Sequence, residues 1–590
     1  MSSSRSSAVI VVSLQVQTSF QSVPLGAASV VSALRADRAV SDAAGVYLAD
    51  WSLEENELAG LDSAKAGELL SRRIVSLFAD SFPEAKTRIV GFSMYVWNRP
   101  VFESAASLLR KSLPGVVLFA GGPEVTAAPG SFEVPDSSPL FDHLLCGEGE
   151  VSSVDLVRSL LVAPDGTSRA AQDATSAPVI HSRAPSVDCA NLPSPWLDGT
   201  LENAVAFRDC KGALWELARG CPYKCAYCYE SKGEKKVRLI PTERLGKELE
   251  YFVRKGVERV FVLDPTYNAS RERALSTLAL IAKKAPEIHF NFEVRAEHLD
   301  REMVEAFGRI PCSLQIGLQS TNPEALALVN RPVDTKVFSK KIGLLNDAGI
   351  VFGLDLMYGL PGDTLTAFRA SVDYAVGLYP NNLEIFRLAV LPGTDLADRA
   401  ASLGLRHMTR PPYHIESTPK FPAQDLARAG ELALACDAFY TQGRAVTWFL
   451  SALRPIKLKP SQFFQDFAEY IALPATRKAY PEFARGQGTC SVELTHARAE
   501  SLQIEFLKKK FADKDKAYLV PALIDVIRIN GAWTRALAEG EKTKLSLSYH
   551  PEDLFSPDAM DLEYFTENAY MEQCEVRVFS GPEGPDIDIS

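Results

Sequence analysis

The sequence predicts an α/β chain in three parts. Residues 8–162 read as a doubly wound parallel sheet, 211–400 as a full or partial (β/α) barrel, and 401–590 as a mainly helical domain with an acidic tail. Three observations carry this. Short apolar runs alternate with segments of 3–4 apolar spacing along residues 8–162, and the alternation returns from 213 to about 395. Past Asp425 it stops. At 590 residues the chain is also too long for one core.

Each element follows from its pattern. In the first part "AVIVVSLQVQ", "GVYLADW", "RIVGFSMYVWN", "VVLFAGGPEV" and "FDHLLCGEGE" read as five strands. The helices between them are "PLGAASVVSALRAD", opened by Pro24, then "AGELLSRRIVSLFADSF" and "VFESAASLLRKSL", with "SVDLVRSLL" closing the unit. Residues 163–210 begin with the aperiodic "APDGTSRAAQDATSAP" and read as a linker with "NLPSPWLDGTL" as an extended lead-in. The second part starts with the strand "ALWELAR". Strands "RVFVLDPTYN", "IHFNFEVRAE", "CSLQIGLQS", "VFGLDLMYGLPGD" and "NLEIFRLAVLPGT" follow, separated by helical segments. Six βα units place active residues on the loops after the strands. The C-terminal part holds helical "DLARAGELALACDAFYTQGR" and "FFQDFAEYIA", mixed segments, and a tail expected to be poorly ordered at its end.

Composition narrows the function classes. A net charge of −11 with both signs interspersed argues against a nucleic-acid partner. No window reaches the length of a membrane span, and "AVIVVSL" lacks the flanks of a signal peptide, so the chain reads as cytoplasmic. His143, His289 and His298 stand in strand or helix contexts where core or surface roles are commonest. "LKKKFADKDK" and "SKGEKKVR" read as solvated charge, the second open also to an anionic substrate or electron donor.

Seven of the ten cysteines need no more explanation than burial of small apolar groups; the other three stand together in "ELARGCPYKCAYCYESKG". There Cys221, Cys225 and Cys228 stand in a C-x3-C-x2-C array. A structural zinc site wants four ligands, with Cys210 or remote His181 as candidates for the fourth. The other reading is a [4Fe–4S] cluster with three thiolates and one iron left open to a small molecule.

"C-P-Y-K-C-A-Y-C" resembles the cysteine motif of the radical S-adenosylmethionine (SAM) enzymes. The resemblance implies Cys221, Cys225 and Cys228 as cluster ligands and Tyr227 beside the adenine. It implies that the open iron chelates SAM and that reduction of the sulfonium yields a 5′-deoxyadenosyl radical. "QIGLQSTNPEAL" (Gln319, Ser320), "MYGLPGDT" and "VLPGT" (Leu391) are similar to strand-end segments of the cobalamin-linked branch. With Asp264, Glu293, Arg295 and Asp355 they are expected to line the SAM pocket, an acidic group meeting the ammonium and sulfonium. A helix-capping role is the alternative for each.

The first part resembles the cobalamin-binding domain fused ahead of many such enzymes. Pro24 and Gly26, Ser93, Gly121 and Gly122, and Gly147 with Glu148 stand where that family has its cofactor-binding residues. Glycine lets backbone approach a corrin closely. The D-x-H-x-x-G motif is absent, leaving the axial ligand of cobalt open and a flavodoxin-like domain without corrin as the alternative. The resemblance implies a methyltransferase acting on an unreactive carbon of a small-molecule or peptide substrate, reduced by a donor such as flavodoxin or ferredoxin. A radical SAM oxidoreductase or rearrangement enzyme with a vestigial first domain, and a metal-bearing scaffold, are the alternatives. The C-terminal part resembles an accessory domain, and its residues point to no chemistry.

Overall fold

A computed structural model describes residues 5–132, 139–162, 177–182, 186–232, 236–485, 494–582 and 584–589. Most of "APDGTSRAAQDATSAP", part of "SKGEKKVR" and Cys490 lie outside the described residues.

The first sheet is built from β1 (Ser7–Gln15), β2 (Ala44–Ser52), β3 (Thr87–Ser93), β4 (Val117–Gly121), β5 (His143–Leu145) and β6 (Val179–His181). All pairs are parallel, in the order β2-β1-β3-β4-β5-β6. Along β1, Ala8, Ile10 and Val12 enter one buried core while Val9 and Val11 enter another. A strand covered on both faces must be apolar at every position, which is why "AVIVV" shows no alternation. Helices Leu25–Ala36 and Gly149–Val162 pack on one face, and Ser63–Ser81 with Arg99–Ser112 on the other. The order reverses between β1 and β3, so a crevice opens at the carboxyl ends of those strands.

Two expectations need correcting here. The first sheet has six strands, because β6 pairs with β5 from within the segment read as linker. Three residues with Pro178 and Arg183 around them are too short a run to show a period. The rest of that segment is packed: Trp196 is buried, its indole donating to the Leu214 carbonyl at 3.1 Å. Thr200 accepts from Arg35 at 3.1 Å, which ties the segment to the first helix.

The second sheet contains β7 (Gly212–Glu216), then, after a two-residue β8 (Ala218–Arg219) and β9 (Arg238–Leu239), the strands β10 (Arg259–Leu263) and β11 (His289–Val294). It continues with β12 (Cys312–Gln319), β13 (Val351–Tyr358) and β14 (Asn382–Arg387). The order β14-β13-β12-β11-β10-β7 is parallel throughout and does not close, so the barrel is partial. In β12, Cys312, Leu314, Ile316 and Leu318 are buried against the helices, while Ser313, Gln315, Gly317 and Gln319 face the other way. The open edge at β14 is covered from the C-terminal domain, where the Thr441 hydroxyl bonds both the Leu383 amide and its carbonyl.

A small ribbon, β15 (Arg406–His407) with β16 (Ile415–Ser417), leads into the helical domain. Its core is aromatic, Phe439, Phe449, Phe463, Phe467 and Phe506 meeting mostly edge to face. The tail also needs correcting: β17 (Thr543–Tyr549), β18 (Met571–Gly581) and β19 (Gly584–Ile589) form an antiparallel sheet. The acidic residues fit a strand because Asp586 and Asp588 stand at alternate positions, exposed, with Ile587 between them packed inward. Asp588 pairs with Arg577 of β18.

Gly122, which follows β4, has φ +112°, and an added Cβ would stand 2.6 Å from the Met94 carbonyl oxygen. Gly122→Ala is expected to destabilise the first sheet by about 1–3 kcal/mol. Its unfolding transition, followed by differential scanning calorimetry, should move down in temperature; an unchanged transition contradicts this packing.

Candidate active site

The two parallel sheets turn their carboxyl ends toward one cavity of about 710 Å³. That size suits a small-molecule site. From the first sheet it is lined by Gly26, Ser93, Tyr95, Gly121, Gly122, Gly147 and Glu148. From the second, Cys221, Cys225, Tyr227 and Cys228 line it with Asp264, Glu293, Arg295, Gln319, Arg331 and Asp355.

The cysteines reach it because their loop leaves the fold between β8 and β9. Gly220, at φ +90°, turns the chain after Arg219, and the Ala226 amide donates to the Val329 carbonyl at 2.9 Å, fixing the middle of the loop. Burial pushes the Cys228 thiol up to about 11. A thiolate there needs a cation, and a metal centre supplies one. Among the described residues no three His, Cys, Asp or Glu side chains are gathered around a point that could hold a single ion. The donor set still fits a [4Fe–4S] centre, where each thiolate takes a different iron.

Carboxylates divide into paired and unpaired. Asp264 is buried and salt-bridged to Arg273 at 2.7 Å. Glu293 and Asp355 face the cavity from β11 and β13 and form no salt bridge among the described residues, Asp355 accepting from Gln315. Burial, then repulsion from Asp355 and Asp264, raises Glu293 to about 7. Burial raises Asp355 to about 7 as well, with Glu384 adding to it. Glu293 is nonetheless accessible from the cavity, so a cation entering there meets it directly.

A β-bulge between Gly317 and Gln319, with Gln319 at φ +68°, aims Gln319 into the cavity. Arg295 is buried, stacks on Tyr223 at 3.7 Å and pairs with Glu297 at 2.6 Å. The Tyr223 hydroxyl and His298 Nε2 are hydrogen-bonded, so His298 supports the wall of the site rather than lying idle on a surface. Glu148 lies between Arg238 and Arg219. Burial works against its charge, yet those guanidinium groups hold its carboxyl below the usual range.

Three expected residues lie outside the cavity. Ser320 is buried and accepts from the Asn322 amide at 3.0 Å, shaping the turn into the next helix. The Leu391 carbonyl accepts from the Thr394 hydroxyl at 2.7 Å in a turn of its own. Pro24 precedes the first helix, and its carbonyl accepts from Ala28 at 2.9 Å. Local turn chemistry accounts for all three.

The sequence reading missed Arg331, Tyr223, Gln315 and Tyr95, which also line the cavity. Arg331 is 6% exposed, donates to the Gly317 carbonyl, and leaves Nε without a partner. Its setting, "VNRPVD", carries no period or spacing that marks it. The lining holds no histidine among the described residues.

Glycines form the other half of the test. A Cβ on Gly26 would stand 2.9 Å from the Tyr95 hydroxyl, and one on Gly149 the same distance from Val30. Internal packing therefore requires glycine at both positions, and Gly26, Gly121, Gly122 and Gly147 present the cavity with backbone and no side chain.

The sequence profile of the Radical SAM superfamily matches residues 215–375. TokK, a cobalamin-dependent radical SAM methyltransferase of Streptomyces tokunonensis, is 28% identical over 357 residues, covering 55% of this chain and 50% of that protein. The 2-(S-pantetheinyl)-carbapenam-3-carboxylate methyltransferase of Streptantibioticus cattleyicolor is 29% identical over 366 residues, 57% of this chain and 52% of that one. The chain therefore spans about half the length of the curated relatives it matches. Among solved structures, the cobalamin-dependent SAM radical enzyme OxsB with aqua-cobalamin bound superposes with a TM-score of 0.55. That likeness covers 87% of this chain and 80% of the other at 14% identity, and it is a likeness of fold.

The raised carboxyls set a pH dependence. Unfolded, Glu293 and Asp355 ionise at ordinary values near 4, while in the folded chain they keep their protons to about 7. The native state binds more protons across that window, so stability falls as pH rises from about 4 to about 7. Thermal melts of the ligand-free chain should show this decline, reduced in Glu293→Gln; a rise across the window contradicts the assignment. With its cysteine loop set on the strand ends of an open parallel sheet, and residues 215–375 matched by the superfamily's profile, the chain contains a radical SAM domain.

Proposed function

We propose that the chain is a cobalamin-dependent radical SAM methyltransferase acting on an unreactive carbon of a small-molecule or peptide substrate. One observation carries the reading: Cys221, Cys225 and Cys228 open onto the same cavity as the glycine rim of the first sheet. One cavity would serve both a metal centre and a corrin. Two methyltransferases among the relatives, TokK and the carbapenam enzyme, support it.

The three cysteines would hold a [4Fe–4S] cluster, and Gly26, Ser93, Gly121, Gly122 and Gly147 would cradle cobalamin. When bound, cluster and SAM supply radical chemistry and cobalamin carries the methyl group. The chain's own residues do the rest. Glu293 and Asp355, ionised, would meet the positive charge of the SAM sulfonium and ammonium, and Arg331, which also lines the cavity, would meet the carboxylate with its guanidinium charge. Gln319 and Tyr227 wall the nucleoside. The Tyr223–Arg295 stack forms part of one wall of the cavity. No helix among the described residues is long and apolar enough to cross a membrane. The reading places the enzyme in the cytoplasm, reduced by a flavodoxin or ferredoxin.

The experiment is anaerobic production in cobalamin-supplied cells, followed by metal and corrin analysis and incubation with methyl-labelled SAM. About four irons and one corrin per chain are expected, with label passing to the corrin. Cys225→Ala should lose the iron and keep the corrin. Iron without corrin, even after reconstitution, would move the chain to a radical SAM oxidoreductase.

A further inference from the structure

The loop carrying the three cysteines leaves through β8 and returns through β9, so this short ribbon is its neck. Across the ribbon Arg219 stands directly opposite Arg238. Like charges opposed on neighbouring strands repel, and these two side chains are only 15% and 17% exposed, so water screens them little.

Counter-charge comes from both domains, and the one carboxylate that reaches both arginines comes from the first. Glu148, in the turn after β5, accepts from Arg238 Nη2 at 2.5 Å and Nη1 at 3.0 Å, and lies 3.5 Å from Arg219 Nη1. Glu150 accepts from Arg219 Nη2 at 2.7 Å, and Glu216 from Arg219 Nε at 2.9 Å. Glu148 is itself fixed, since the Val187 amide donates to it at 2.9 Å. The segment that presents Glu148 and Glu150, a turn running into the helix at Gly149, has Gly147 at φ +92° and lines the cavity on its first-sheet side.

We propose that Glu148 is a positioning residue that closes the neck of the cysteine loop by bridging Arg219 and Arg238, so that the state of the first sheet's ligand turn sets where the three thiolates stand. Its carboxylate serves the neck, not a cofactor. A ligand seated on the Gly147 turn acts on the loop, and whatever fills the loop acts back on the turn by the same factor. The amide-exchange arm below is independent of the proposed function, and the iron arm rests on it.

The test uses the full chain as wild type, Glu148→Gln, Glu148→Asp, Arg238→Met and the double variant Glu148→Gln/Arg238→Met. Hydrogen exchange is measured over residues 217–232 without added metal, and the rate of iron loss to a chelator after anaerobic reconstitution. Glu148→Gln removes the one carboxylate that both arginines share and is expected to speed exchange across the neck and to raise iron loss about tenfold, the scale of a lost charge-assisted pair. Glu148→Asp should fall between it and wild type, and covers the case in which Glu148→Gln does not fold. The double variant removes the repulsion and should recover most of the loss. Failure of the double variant to improve on Glu148→Gln overturns the proposal, as does wild-type behaviour of Glu148→Gln. A wild type that takes up no iron overturns the cluster reading alone, and exchange then decides the neck.

Discussion

The structure depends on one constraint: two parallel sheets face each other with their carboxyl ends, and the seam between them has to be polar. Strand ends and helix starts leave backbone groups that need partners, and glycine turns expose more of them. The chain answers with charge. Arg219 sits between carboxylates of both domains, and buried Arg99 of the first domain is held by Glu103 at 2.9 Å and Glu124 at 3.2 Å. Tyr413, from beyond the second sheet, donates to Glu124 at 2.7 Å. Breaking such a buried pair on one side leaves an uncompensated charge and is costly. Fixed charges at the seam therefore hold the two sheets in one relative placement and leave the cavity between them.

The fold was legible where period and length agree. β1 shows no alternation because both its faces are buried, and β12 alternates because only one face meets helices. The sequence reading failed where a strand is too short to have a period, as in β6, or where polar composition outweighed alternation, as in β19. Tertiary pairing places both, β6 against β5 and β19 against β18.

The site was legible to the extent that chemistry lies close in sequence. Cys221, Cys225, Tyr227 and Cys228 occupy eight consecutive positions and all reach the cavity. Residues inferred from their place at strand ends fared unevenly: Glu293, Gln319 and Asp355 line the cavity, whereas Ser320 and Leu391 serve turns. A strand end constrains position, not direction, and one residue's shift points a side chain away. Arg331 was not legible, because only the loop after a short helix brings it to the site. Glu148 shows a third case, a residue that lines the cavity while its carboxylate is occupied by arginines of the β8–β9 ribbon.

The central claim is that one cavity houses both a reducible cluster at the cysteine loop and a corrin at the glycine rim. Pulsed electron paramagnetic resonance on the loaded chain, with the cluster reduced and the cobalt in its paramagnetic state, measures the interaction between the two centres. The account predicts a strong dipolar coupling, as expected of centres within a single cavity, lost in Cys225→Ala. Two centres present at full occupancy but magnetically independent would contradict it.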